Sequence, residues 1–342
     1  MSAAQQDRNV LLVGSIPLAD AKAVFSAVSD AVGPLATRIP DGETGDRKVW
    51  IMFQRGVMEK TPNLAIAREF VLAPGVTQAV FKVADPTKPV EFGALRYASE
   101  AIKSYRDFAA LKAAGRIAPG TRFQVSLPTP LAVIASFVEE PSQQQVEAAY
   151  EKQLLAEMRE ILTVVPAKEL ALQWDVAIEV IFMAGWTGMR FFDMSKSGMM
   201  ERLIRLGNAV PADVELGYHL CYGDPGHKHL VEPKDLALCV EITNTLTQKV
   251  RRPIEWVHMP VPRERNDEAY FAPLKDLKVG PQTEIFIGLV HYTDGAEGTR
   301  KRIETAKRFL PNFGIATECG FGRRPPETVR ELLAIHKKAA SA

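Results

Sequence analysis

The chain has 342 residues, 46% of them hydrophobic, with 42 basic and 41 acidic side chains. That is enough apolar chain for one large core or two small ones, and the balanced, dispersed charge leaves no footprint for nucleic acid. No apolar run approaches the ~20 residues that span a membrane, and three distant cysteines build no disulfide framework.

The opening "MSAAQQDRNV" lacks the basic start and apolar middle of a signal peptide. The expectation is a cytoplasmic protein with reduced thiols and a small-molecule partner, and a homo-oligomer is compatible with this composition. Short apolar runs then alternate with amphipathic segments. "NVLLVG" precedes "ADAKAVFSAVSDAV", and "LATRIP" precedes the polar "DGETGDR". "TRFQVSLP" precedes the long helical pattern "QQQVEAAYEKQLLAEMREILTVV". "ELALQWD", "DVELGYHLC", "PIEWVH", "TEIFIGLV" and "FGIAT" follow, each leading into chain of helical or loop character. In "GTRKRIETAKRF" the basic spacing is that of a solvated helix face.

Continuous apolar strands between helices predict a parallel sheet covered on both faces. Eight such units at this length predict a closed (β/α)8 TIM barrel forming one domain over residues 1–342. "PVEFGA" is a ninth extended candidate, taken as an insertion between the second and third units. An open doubly wound sheet is the alternative, but no G-x-G-x-x-G turn follows the first strand.

Barrel active sites lie at the C-terminal ends of the strands. The polar residues there are Ser15; Asp41, Glu43 and Arg47; Thr129; Asp175 and Glu179; and His219, Cys221 and Asp224. His258, His291, Asp294, Glu318, Cys319 and Arg323 complete the rim. Residues two apart on a strand point the same way, so His219 and Cys221 can face one ion. Cys319 can reach across the mouth, and thiolate with imidazole suits zinc. A fourth ligand is sought on the sixth strand, as Glu255 or His258, and His258 is the one level with the others. The plainer reading takes both cysteines as small buried hydrophobes. Cys239, in an amphipathic helix, reads as core. His227 and His229 read as surface loop or as a pair reaching back over the site. His336, in the last helix, reads as solvated.

These residues resemble a known family. "VLLVGSIPL" resembles the G-S-F-P opening of the catalytic barrel of cobalamin-independent methionine synthase, and "ALQWDVAIE" its Q-I-D-E-P-A-L segment. "YHLCYGD" resembles its H-x-C-Y zinc motif and "TECGFGRR" its D-C-G-L-K-T-R zinc motif. The matches run in family order along roughly the whole chain. The resemblance implies zinc held by His219, Cys221 and Cys319, and methyl transfer from a tetrahydrofolate to a zinc-bound thiolate. The family's fourth ligand is a glutamate ending strand six, where this chain has His258, with Glu255 three residues earlier. Ser15 matches the family's substrate-binding serine, Asp175 matches its strand-four aspartate and is a catalytic candidate, and His291 matches the catalytic histidine, the candidate general acid.

The family's acid-proline step is Val176-Ala177 here. That departure implies a substrate other than homocysteine. "PDGETGDR" either clasps a polar substrate through Asp41, Glu43 and Arg47 or forms a turn and helix cap. Glu179 is a further substrate-binding candidate. "RKVWIMFQRG" faintly resembles a loop of uroporphyrinogen decarboxylase, a sister family, so a lyase or decarboxylase is the alternative activity. A barrel that only stores or senses a metal is a third reading.

Overall fold

The computed structural model describes residues 8–73, 76–225 and 228–341. Residues 1–7, with the signal-peptide reading, and His227 lie outside them. Eight parallel strands form a nearly closed barrel. They are β1 (Val10–Leu11), β2 (Arg38–Pro40), β5 (Arg122–Pro128), β6 (Leu170–Val176), β7 (Glu215–Leu220), β8 (Trp256–Pro260), β9 (Glu284–Val290) and β10 (Gly314–Thr317). The ladder runs β1-β10-β9-β8-β7-β6-β5-β2, so the gap falls between β1 and β2. Every position of β6 and β8 is buried, as expected of strands covered on both faces. All eight strand expectations hold.

The gap between β1 and β2 is bridged by other means. Ile16 N donates to Gly42 O at 2.8 Å. Two buried amides from β5 and β6 reach the carbonyls at the end of β1. Gln124 Nε2 lies 3.1 Å from Leu12 O, and Gln173 Nε2 lies 2.6 Å from Val13 O. At the opposite end of the barrel, Arg38 pairs with Glu215 at 3.2 Å and Glu284 at 3.0 Å. Its guanidinium lies 4.3 Å over the Trp256 ring. Above it an inner layer of Leu11, Val13, Ala171, Trp256, Phe286 and Ala316 fills the barrel.

Between β2 and β5 the chain forms an antiparallel hairpin, β3 (Leu64–Ala73) with β4 (Val76–Val83). Its β4 edge meets Val138, with Glu139 N donating to Phe81 O at 2.9 Å. "PVEFGA" forms no strand. Its Val90 and Phe92 are buried in irregular chain ahead of α3 (Tyr97–Ala113), so apolar content there marks a packed loop. In α10 (Gly295–Ala306), Arg302 is buried and bonds Leu289 O and Asp294, so that helix is not wholly a solvated face. Cys239 is core, as expected.

His336, in α11 (Val329–Ala340), is not solvated but fully buried. Its Nδ1 donates to Leu332 O at 2.8 Å. Burial pushes its pKa down to about 4, so it folds as the neutral ring. The sign follows from linkage: the unfolded chain takes up the proton near pH 6.5 and the folded one only near pH 4. Stability from this group is present above the first value and lost as pH falls towards the second. His336→Phe should cut the loss of stability between pH 7 and pH 4.5 by up to about 3 kcal/mol. Denaturant melts at both pH values measure it, and equal acid sensitivity in both proteins would count against the assignment.

Candidate metal centre

The parallel register sets the site. Asp175 on β6 is paired with His219 on β7, and His219 with His258 on β8, so three polar side chains stand at one level on adjacent strands. Cys221 lies just past β7 and Cys319 just past β10. The ligand atoms of His219, Cys221 and Cys319 all lie within 4.8 Å of one another. The two sulfurs are 4.0 Å apart. A disulfide needs about 2.05 Å. Two sulfurs each about 2.3 Å from one tetrahedral zinc stand about 3.8 Å apart, so the spacing fits a shared ion.

His258 does not join this group. Its Nε2 lies 3.0 Å from Thr317 O, which only accepts, so that nitrogen carries the hydrogen. Burial and the neighbouring His219 push the His258 pKa well down, so the ring is neutral. Its Nδ1 therefore accepts from His219 Nδ1–H at 2.7 Å. This leaves His219 Nε2 free to act as a ligand, in the tautomer a metal requires. The ring of His258 spans from β8 to β10 over Gly288 of β9. A Cβ there would stand 2.9 Å from Glu318 Cα and 3.2 Å from His258 Nε2. Glu255 points to the other end of the barrel, accepting from Leu216 N at 2.6 Å and pairing with Arg252. It is not near the cluster.

The electrostatics favour one thiolate and one thiol. The Cys221 thiol, His219 and Arg323 hold the Cys319 pKa well below its usual value against the cost of burial. Cys221 is pushed up by that same contact with Cys319 and by burial. Burial works against protonated His219, but Cys319, Asp175 and Asp224 outweigh it and raise its pKa. Burial raises Asp175 to about 6, offset in part by His219, Gln173 and Trp50. Arg323 is ion-paired with Asp224 behind the sulfurs.

The other predicted residues fall into three settings. Ser15 Oγ accepts from Gly322 N at 3.2 Å, so it holds the loop that carries Cys319. Asp41 accepts from Arg47 Nη2, Ser104 Oγ and Glu43 N, each at 2.8 Å, so Asp41 and Arg47 build their own loop. Glu43 projects towards the barrel mouth, its pKa raised well above normal by burial and by Asp175. Gly42 has φ +79°, and a Cβ there would stand 2.6 Å from Val24 Cγ2. Glu179 is buried in α6 (Ile178–Met183), pushed up to about 7 by burial and eased by Thr129. It is not part of the thiol cluster.

His291 Nε2 donates to Val261 O at 2.9 Å, leaving Nδ1 3.9 Å from Glu318 Oε2. Burial lowers its pKa to about 3, so it is neutral and can donate from Nδ1 only after taking up a proton. His229 lies over the site rather than out in solvent, with Nε2 2.5 Å from Glu318 Oε1. A cleft of about 480 Å³ opens beside Cys319 and is lined by His229, His291, Glu318, Arg263 and Arg324. The sequence reading did not select Arg324 or Trp50. Trp50, with φ 46° and ψ −120°, donates to Asp175.

A nearly closed (β/α)8 barrel with a His-Cys-Cys cluster at the C-terminal ends of its strands defines the class. No protein-family model matches the chain, and no curated protein matches it significantly. Solved structures do. One is a B12-independent methionine synthase from Shewanella sp. W3-18-1 in complex with selenomethionine, with a TM-score of 0.64 and 16% identity. The match covers 98% of this chain and 97% of that one. Another is a methyltransferase from Methanosarcina mazei, with a TM-score of 0.55 and 11% identity over 97% of this chain and 94% of that one. At these identities the likeness establishes the fold.

Two outcomes test the cluster. The purified protein should carry one zinc per chain, and Cys221→Ser should lose most of it. Full zinc occupancy with both Cys221 and Cys319 changed to serine would sink the assignment. His258→Gln should keep the stoichiometry while weakening zinc by about 10- to 100-fold. X-ray absorption should find one imidazole per zinc in the unmutated protein, and two would make His258 a ligand.

Proposed function

We propose that this protein is a zinc-dependent methyltransferase acting on the thiol of a small molecule. The observation that carries the reading is the His219-Cys221-Cys319 group, with its sulfurs 4.0 Å apart at the barrel mouth. The fold it shares with a methionine synthase and a methyltransferase supports it. A zinc ion held by these side chains would keep a bound thiol ionised near neutral pH, ready to accept a methyl group.

The chain's own residues supply the rest. His258 fixes the tautomer and tilt of His219. Asp175 and Glu43 place two carboxyls next to the cluster, and Trp50 donates a hydrogen bond to Asp175. Glu318, its pKa raised by burial and in contact with His229, and neutral His291 flank the cleft beside Cys319, so protonated Glu318 is the proton donor we propose. Its proton is the one a departing methyl carrier must receive. A tetrahydrofolate is the carrier we propose.

The methyl acceptor we propose is a thiol other than homocysteine. Val176-Ala177 stands where the resemblance expects an acid-proline step, and each lost charge-assisted hydrogen bond costs about 1.5–3 kcal/mol. Zinc-loaded protein should therefore make methionine from homocysteine and methyltetrahydrofolate far below the ~10 s⁻¹ of a typical enzyme. A panel of other thiols should yield an S-methyl product that disappears on chelation and in Cys319→Ser. Turnover that survives both treatments would remove the zinc reading, and fast methionine formation would restore homocysteine as the substrate.

A further inference from the structure

The cleft beside Cys319, about 480 Å³ in volume, is large enough for a molecule well beyond a simple thiol. Its charged groups are nearly all matched. Asp224 pairs with Arg323, Glu264 with Arg263, Glu318 and Glu232 with His229, and Arg265 with Asp267. Lys228 and Arg324 are left over, and of these Lys228 is exposed to solvent. Arg324 lines the cleft half-buried, its guanidinium 5.8 Å from the centre of the Tyr292 ring. Among the described residues that guanidinium makes no ion pair and no hydrogen bond. Asp224 and Glu318 act on it through space, but each is already paired, with Arg323 and His229 respectively. Tyr292 is itself fixed, donating to Glu331 Oε2 at 2.8 Å. A planar fork of donors, partly withdrawn from water and without an acceptor, is an incomplete arrangement.

We propose that Arg324 anchors an oxyanion, a carboxylate or phosphate, carried by a small molecule that enters this cleft. Calling that molecule a substrate rests on the transferase reading. The Tyr292 ring behind the guanidinium favours a fixed plane, which suits two-point recognition of an oxyanion.

Cys319 lines the same cleft, so its alkylation reports on anion binding there. Iodoacetate and iodoacetamide both form one S–C bond to the thiolate and release iodide. They differ in charge. The measurement is the ratio of their rates at Cys319, read by peptide mass spectrometry on the protein as purified. Arg324→Gln should lower the iodoacetate-to-iodoacetamide ratio about tenfold. Arg324→Lys should keep most of it, and Arg308→Gln, which breaks an unrelated pair with Glu268, should leave it unchanged.

Inorganic phosphate, with ionic strength held constant by chloride, should lower the unmutated ratio and not that of Arg324→Gln. A ratio in Arg324→Gln within about twofold of the unmutated protein overturns the proposal. Because the phosphate arm needs no variant, it decides the matter if Arg324→Gln fails to fold: no effect of phosphate overturns the proposal as well. Zinc content, measured on the same samples, reports separately on the metal reading. An anion preference in protein that binds no zinc would support the anion site while removing the transferase.

Discussion

The side-chain amide of Gln173 has two hydrogens, and both are committed. One is donated to Val13 O at 2.6 Å and the other to Asp175 Oδ1 at 2.9 Å. The carbonyl of the same amide lies 3.4 Å from Trp256 Nε1. The first bond helps tie the barrel where the ladder is broken between β1 and β2. The second orients the carboxylate that neighbours His219. A buried polar network of this kind is stable only when each member is satisfied. One side chain therefore links closure of the barrel, which it shares with Gln124 and the Ile16–Gly42 bond, to placement of the site.

From Asp175 the constraint passes along the rim by strand register. Parallel ladders fix which residues are level, and they put Asp175, His219 and His258 in one row. His258 then reaches Thr317 O on β10 because Gly288 of β9 leaves the space open. Thr317 lies two residues before Cys319, and Thr317 Oγ1 donates to Cys319 O at 2.7 Å. Hydrogen bonds thus run from the barrel seam to Asp175, and from His219 through His258 and Thr317 to the backbone of Cys319. Strand register and charge join Asp175 to His219. The thiols owe their spacing to this frame, and the frame itself contains no irregular loop until Cys319.

The loop after β2 is the exception to that regularity. Gly42, Glu43, Gly45 and Trp50 all have positive φ, two of them with full side chains. Backbone of this kind costs on the order of 1–3 kcal/mol per non-glycine residue. The bonds from Asp41 to Arg47 and Ser104 offset it from within, and the contact of Trp50 with Asp175 offsets it from the site. The result is a loop shaped to deliver one acid, Glu43, and one indole to the barrel mouth.

The sequence by itself determined the eight strands, because a strand buried on both faces must be a continuous apolar run. It also determined the H-x-C spacing, because alternate residues share a face whatever surrounds them. The β3–β4 hairpin was legible in principle, as two apolar-rich runs around a Pro-Gly dipeptide, yet "PVEFGA" carried an equally apolar signal and only packing separated them. Tertiary structure alone decided the roles of the histidines. Whether a ring is solvated, as expected of His336, or buried, as found, depends on which neighbours cover it. Whether His258 is a ligand or the support of one depends on Thr317, 59 positions away. His229 and Arg324 face the cleft for the same reason: a side chain's partners at long range are set by how the strands and loops assemble, and local sequence carries no trace of them.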